Sequence, residues 1–258
     1  MFTVAERERI RDRLVEMARV DPRIESAAAV GGSARGGGDR WSDVDLTFGL
    51  AEGASMQAVL SDWTRSVENE FNALTLFDLP FRSSIYRVFL FPGSLQVDLS
   101  FTPGSEFGAY GPRFALLFGT ATERDRVRPP SPRHLLGMGV HHAVRGRICI
   151  ERGRMWQAEY WISAVRDHAL ALACLRHGLD HELGRGFDEL PAEIRARTAG
   201  ALVRSLDPAE LLRALRDAVD ALLREAEGTH DQAAELETQL RELVSASSGG
   251  APNPGARG

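Results

Sequence analysis

Asp43-Val44-Asp45-Leu46-Thr47-Phe48 alternates polar and apolar residues, the pattern of a strand with one buried face. Two carboxylates two positions apart on such a strand project from the same face, about 7 Å apart at their Cα atoms. A second stretch of the same texture, Leu95-Gln96-Val97-Asp98-Leu99-Ser100-Phe101, puts Asp98 on another strand. If the two strands are neighbours, spaced about 4.8 Å, Asp43, Asp45 and Asp98 converge on one spot. Like charges so close need a partner to stay ionised. A pair of Mg²⁺ ions about 3.5–4 Å apart supplies it, and also clamps the attacking and leaving oxygens of an in-line phosphoryl displacement.

Upstream, Ile24 to Val30 reads as a short buried strand that runs into Gly31-Gly32-Ser33-Ala34-Arg35. A strand ending in Gly-Gly-Ser lets the backbone approach a polyphosphate closely, with N–H groups and the Ser33 hydroxyl as donors. Arg35 or Arg40 adds charge, and Gly36-Gly37-Gly38 reads as a loop. Alone, Gly-Gly-Ser is a common turn and Asp-x-Asp a common solvated strand face. The two in order with a third aspartate carry more weight.

Further out, Val4, Ile10, Leu14 and Met17 predict an amphipathic helix ending near Asp21-Pro22, and Met56 to Phe71 predicts another. Ile85 to Phe91 and Leu95 to Phe101 are two strands joined at Pro92-Gly93-Ser94, a hairpin signal. From Ser131 to Ser245 the periodicity is almost wholly helical, over roughly 132–151, 154–178, 192–205, 208–227 and 229–244. Ala158, Ile162, Val165, Ala169 and Leu172 make the apolar stripe of the second of these. Leu183 to Leu190 is a glycine-containing loop. Arg124 to Pro132, with three prolines, is the candidate linker, and the residues after Ser245 form a disordered tail. The expected class is α+β: a mixed sheet flanked by helices over 1–123, a helical bundle over 124–244, and a tail over 245–258. Two domains suit 258 residues, because domains usually run about 100 to 150.

All 31 basic residues are arginine; the chain contains no lysine. That excludes Schiff-base chemistry and a Walker A loop, and leaves arginine, backbone N–H groups or metal to hold any phosphate. A net charge of -5 speaks against a protein whose whole surface binds duplex nucleic acid, and favours small-molecule partners. The N-terminus is charged from Glu6 onward and no apolar run reaches about 18 residues, so a cytoplasmic protein without membrane partners is expected. Cys149 and Cys174 read as buried thiols. The histidines show no zinc-ligand spacing, and no Gly-x-Ser-x-Gly elbow is present.

Gly32-Ser33, nine residues, Asp43-Val44-Asp45-Leu46 and the later Val97-Asp98-Leu99 resemble the signature of the DNA polymerase β-like nucleotidyltransferase superfamily. A mixed N-terminal half followed by a helical half is similar to the bacterial antibiotic nucleotidyltransferases, especially the aminoglycoside 6-adenylyltransferase and lincosamide types. The likeness spans roughly residues 24 to 180. It implies ATP or another NTP as donor, two Mg²⁺ ions, and transfer of a nucleoside monophosphate to a hydroxyl of a small-molecule acceptor, such as an aminoglycoside or lincosamide, with release of pyrophosphate. By the same resemblance Asp43 and Asp45 bind metal, Asp98 completes the site or takes the acceptor proton, and Gly32 and Ser33 hold the triphosphate with Arg35 nearby. Family members often use lysines around the nucleotide, which this chain must replace with arginine; arginine stays charged and cannot act as a general base.

The resemblance also implies an acidic residue near the acceptor hydroxyl, for which Glu159 is the candidate and Asp167 a lesser one. The plainer alternative pairs Glu159 with Ser163 or Arg166 and has Trp156, Tyr160 and Trp161 simply pack. Two other functional classes stay open: a nucleotidyltransferase acting on a protein or tRNA, which the net charge disfavours for tRNA, and a non-catalytic nucleotide-sensing module, against which all three aspartates count.

Overall fold

Thr3 opens the first helix, α1 (Val4–Val20), by a reciprocal cap: its hydroxyl accepts from the Glu6 amide while the Glu6 carboxylate accepts from the Thr3 amide at 2.7 Å. In the computed structural model, which describes residues 1–35, 39–111, 113–125, 128–226 and 233–245, the chain divides into two compact units, Met1–Arg128 and Pro129–Gly258. Of Ser33 and Arg35 only the backbone is described.

The first unit continues through β1 (Ile24–Val30), β2 (Val44–Leu50), α2 (Met56–Phe71), β3 (Leu74–Phe81), β4 (Ser84–Phe91), β5 (Leu95–Pro103), β6 (Gly108–Ala109), β7 (Phe114–Phe118) and β8 (Thr122–Glu123). Six strands form one sheet in the order β3-β4-β5-β2-β1-β7. Only β2 and β5 run parallel in it; the other neighbours are antiparallel, including the β4–β5 hairpin turned at Pro92-Gly93-Ser94. Strands β6 and β8 make a separate parallel pair.

Period-two alternation decides which face of the sheet is core. Val44, Leu46 and Phe48 of β2 and Val97, Leu99 and Phe101 of β5 are buried against Leu14 and Ala18 of α1 and Val59, Leu60, Trp63 and Val67 of α2. Phe48, Trp63 and Phe101 meet with ring centroids 5.0–5.6 Å apart. The Trp63 indole N–H donates to Asp21 at 3.0 Å, so the end of α1 is tied to this cluster. The opposite face of β2 and β5 therefore carries Asp45, Thr47, Asp98, Ser100 and Thr102.

The second unit is helical: α3 (Pro132–Glu151), α4 (Met155–His177), α5 (Ala192–Thr198), α6 (Pro208–Glu225) and α7 (Ala233–Ser245). Ser131 caps α3 by accepting from the His134 amide at 3.1 Å, with Pro132 in the first turn; α4 stops at Gly178 in the left-handed region. The α4 stripe Ala158, Ile162, Val165, Ala169 and Leu172 is buried with Leu136 and Ala143 of α3 and Leu215, Val219 and Leu222 of α6. Cys149 and Cys174 are buried and free. The fold class matches the sequence expectation of a mixed sheet with helices followed by a helical region.

Some details differ. Strand β2 starts at Val44, so Asp43 lies on the loop before it. Val4 is exposed, and Arg7 takes the buried place on α1. Strand β3 was not expected: it lies at the sheet edge with nearly every residue exposed, so no face is marked by hydrophobicity. Helix α5 ends at Thr198, and Ala199–Ala201 tightens to a 3-10 turn where 192–205 was expected as one helix. The Gly36 to Gly38 loop, residues 229–232 of the expected last helix and the tail beyond Ser245 lie outside the described residues.

Candidate functional site

The parallel ladder between β2 and β5 sets Asp45 directly opposite Asp98, and the intervening pairs Leu46↔Leu99 and Val44↔Val97 turn inward. Asp43, one residue before β2, joins them. Each of the three half-buried carboxylates offers an oxygen, and these oxygens all lie within 4.8 Å of one another. Among the described residues no other group of three His, Cys, Asp or Glu side chains comes together this way.

The electrostatics are those of crowded anions. Burial pushes the Asp98 carboxyl above the usual carboxylate range, and the nearby Asp43 charge pushes it the same way. The Gln96 amide opposes this by donating to both Asp98 oxygens, at 3.1 and 3.3 Å. A set of three hard oxygen donors is compatible with binding a divalent metal cation.

The glycine turn abuts this cluster. Gly31–Arg35 is a 3-10 turn at the end of β1, and Gly31 has φ +68°. A Cβ on Gly31 would lie 2.1 Å from Asp45 Oδ2, so both the backbone angle and the carboxylate demand glycine there. Gly32, assigned from sequence, has room: a Cβ there would meet nothing nearer than Ser42 Oγ at 3.9 Å. The side chains of Ser33 and Arg35 lie outside what is described. The Arg40 guanidinium sits 4.2 Å above the Trp41 ring.

Along the same face, away from the carboxylates, the next position pairs Thr47 with Ser100, which in turn pairs with Tyr86 on β4. Beyond them, Ser84 and Thr102 share a 2.7 Å hydrogen bond. A cavity of about 160 Å³ opens here, lined by Thr47, Ser84, Tyr86, Thr102 and Tyr110 among others. Burial raises the Tyr86 phenol, so it stays a neutral donor. The lining mixes these hydroxyls with Val30, Phe107 and Phe114 and with the charged Glu106 and Arg113.

Glu159 lies on α4 in the second unit. It accepts from Ser163 Oγ at 2.8 Å, while Arg166 pairs with its neighbour Asp167 at 2.8 Å. Trp156 and Tyr160, which the plainer alternative packs, are 78% and 64% exposed. Trp161 is the aromatic that packs, against His142 at 4.9 Å.

Gly31 lies within the Gly-Gly-Ser turn read from the sequence, but the contact with Asp45 is its own and not that of Gly32. Gln96 carried no signal. The sequence assigns Arg7 no role, although it stands seven positions before the buried Leu14, on the same helical face.

No protein family matches the chain, and no curated protein matches it. Among solved structures it is similar to an aminoglycoside 6-adenyltransferase from Bacillus subtilis, at 13% identity over 92% of this chain and 97% of that one, with a TM-score of 0.38. Among the described residues no helix is long and apolar enough to cross a membrane.

Proposed function

We propose that the protein is a Mg²⁺-dependent nucleotidyltransferase that moves a nucleoside monophosphate from an NTP, with ATP as the favoured donor, to a hydroxyl of a small polar acceptor. The observation that carries this is the Asp43, Asp45 and Asp98 cluster with the Gly31 turn pressed against Asp45. A carboxylate trio beside a glycine turn whose N–H groups can meet phosphate is the donor set for a metal-bound triphosphate. The resemblance of Gly32-Ser33, Asp43-Val44-Asp45 and Asp98 to the polymerase β-like signature points the same way.

In this reading Asp43 and Asp45 hold the metal, two Mg²⁺ ions in all, with Asp98 completing the set or taking the acceptor proton. Bound Mg²⁺ supplies charge neutralisation at the phosphates and lowers the barrier to displacement. The backbone of Gly32 and Ser33, the Ser33 hydroxyl and Arg35 hold and orient the triphosphate. The acceptor oxygen forms the new bond to the α-phosphorus as the bond to pyrophosphate breaks, and the hydroxyl proton passes to a carboxylate. The hydroxyls in the cavity beyond Thr47 suit a hydroxylated acceptor, which supports an aminoglycoside or lincosamide. The proposed enzyme is cytoplasmic, with a catalytic domain over 1–123 and a helical domain over 124–244, and Glu159 on the helical domain is the proposed acidic group for the acceptor hydroxyl.

The test is incubation of the protein with Mg²⁺, α-labelled NTPs and a panel of aminoglycosides and lincosamides. The expected result is one labelled acceptor with stoichiometric pyrophosphate, lost in Asp45→Asn. No labelled acceptor, with Asp45→Asn binding Mg-ATP as well as wild type, overturns the reading. Label appearing on lysate proteins or tRNA instead would overturn the small-molecule acceptor and keep the chemistry.

A further inference from the structure

Asp45 and Asp98 are held by the β2–β5 ladder, but Asp43 is not: it is the last residue of a loop, and a strand register cannot position it. What holds that loop comes from α1. Arg7 is only 5% exposed, on the helix face that otherwise buries Leu14 and Ala18. Its Nη1 donates to the carbonyls of Asp39 and of Ser42, the latter at 3.3 Å. Its other donors, Nε and Nη2, meet Glu8 Oε1 at 3.2 and 3.0 Å.

Between its two carbonyl contacts the chain makes one turn. The Asp39 carboxylate accepts from the Trp41 amide at 2.9 Å and from Ser42 Oγ at 3.1 Å, and the Ser42 amide donates to the Asp39 carbonyl at 3.2 Å. Arg7 thus grips both ends of the turn, and the second grip is on the residue directly before Asp43. Desolvating a guanidinium is costly, and an apolar residue would fill a core-facing helix position at lower cost. A buried cation aimed at two carbonyls of the loop that presents a metal ligand is better explained by the ligand than by the core.

We propose that Arg7 is a positioning residue: through the Asp39–Ser42 turn it fixes Asp43 in line with Asp45 and Asp98, and so sets the cation affinity of the cluster. This rests on the cluster holding a divalent cation, and its test separates the two. Mn²⁺ binding by the full chain is measured by calorimetry for wild type, Arg7→Gln, Arg7→Lys, Asp43→Asn and the Arg7→Gln/Asp43→Asn double variant, with Arg11→Gln as control. Amide hydrogen exchange over residues 39–43 is followed without metal.

Loss of an outer residue that orients a metal ligand costs about tenfold or more in affinity, and that drop is expected for Arg7→Gln. Asp43→Asn should then add less than about a twofold loss in the Arg7→Gln background, because the two act through one arm. Arg7→Lys, which keeps the charge and can reach one carbonyl, should recover part of the affinity, and Arg11→Gln should match wild type. Exchange at Trp41 and Ser42 should speed up in Arg7→Gln. Unchanged Mn²⁺ affinity in Arg7→Gln, or a full Asp43→Asn loss on top of it, overturns the proposal, as does a loss of melting temperature with affinity intact. If Arg7→Gln fails to fold, Arg7→Lys decides: affinity equal to wild type refutes the role. If wild type binds no Mn²⁺, the cluster reading fails, and unaltered exchange over 39–43 would refute the grip of Arg7 as well.

Discussion

Gly31 and Asp45 share a space that admits no side chain. The Cβ that any other residue would bring to position 31 falls 2.1 Å from Asp45 Oδ2, and the backbone there already holds φ +68°. Gly31→Ala therefore meets two penalties. The left-handed backbone costs about 1–2 kcal/mol for an L-residue, and the clash must move either the turn or the carboxylate. The variant should fold less stably and, on the proposed function, bind Mn²⁺ at least about tenfold more weakly, since the displaced group is a proposed ligand. Gly32→Ala, with open space around its Cβ, should change the unfolding free energy by less than about 0.5 kcal/mol. Chemical denaturation of the two variants side by side checks the contrast; equal losses would place the constraint elsewhere.

Asp98 gives a trade between stability and function. Burial and the Asp43 charge disfavour its ionised form, so Asp98→Asn removes a repulsion from the metal-free protein. The metal-free variant should be more stable than wild type at pH 7, by about 0.5–1 kcal/mol. Mg²⁺ should raise the melting temperature of wild type more than that of the variant, because the variant keeps Asp43 and Asp45 and loses one of the three proposed donors. Transfer should fall by about a thousandfold, the scale of several kcal/mol of metal-assisted stabilisation. A destabilised metal-free Asp98→Asn would argue against crowding.

Acid stability reports on Asp21. Its carboxylate accepts from Arg23 and from the Trp63 indole, and these hydrogen bonds, Arg23 first, hold its pKa down at about 2. The folded value lies below the ordinary unfolded one of about 3.9, so the contribution is present above about pH 4 and is lost as pH falls through about 2. Allowing for partial solvent screening, it is worth about 1 kcal/mol. Unfolding followed by tryptophan fluorescence should show this loss between about pH 4 and pH 2 in wild type, and a flatter acid limb in Asp21→Asn. Identical limbs would remove Asp21 from the account.

The aspartates were legible because strand alternation is a local signal. Val44, Leu46 and Phe48 turn one way and Asp45 the other, and Val97, Leu99 and Asp98 repeat the pattern. That the two strands are parallel neighbours in the register Asp45↔Asp98 is a tertiary fact, since α2, β3 and β4 intervene in the chain. The requirement for glycine at Gly31 rather than Gly32 depends on a contact with a residue fourteen positions later, beyond any turn rule. Nothing in the sequence singles out Arg7, because residue type cannot tell a solvated arginine from one aimed inward at carbonyls. Strand β3 hid for the opposite reason: Leu74, Leu76, Phe77 and Leu79 are exposed at the sheet edge, where hydrophobicity marks no buried face.

With no lysine in the chain, the proposed function leaves neutralisation of a triphosphate to cations at Asp43, Asp45 and Asp98 and to arginines. ATP affinity measured by calorimetry in Mg²⁺ and again in EDTA tests this most directly. The account predicts binding at least about a hundredfold weaker in EDTA, because the phosphates then meet the carboxylates without the bridging cations. It also predicts that Asp45→Asn in Mg²⁺ behaves like wild type in EDTA. Equal ATP affinity with and without Mg²⁺ would contradict it.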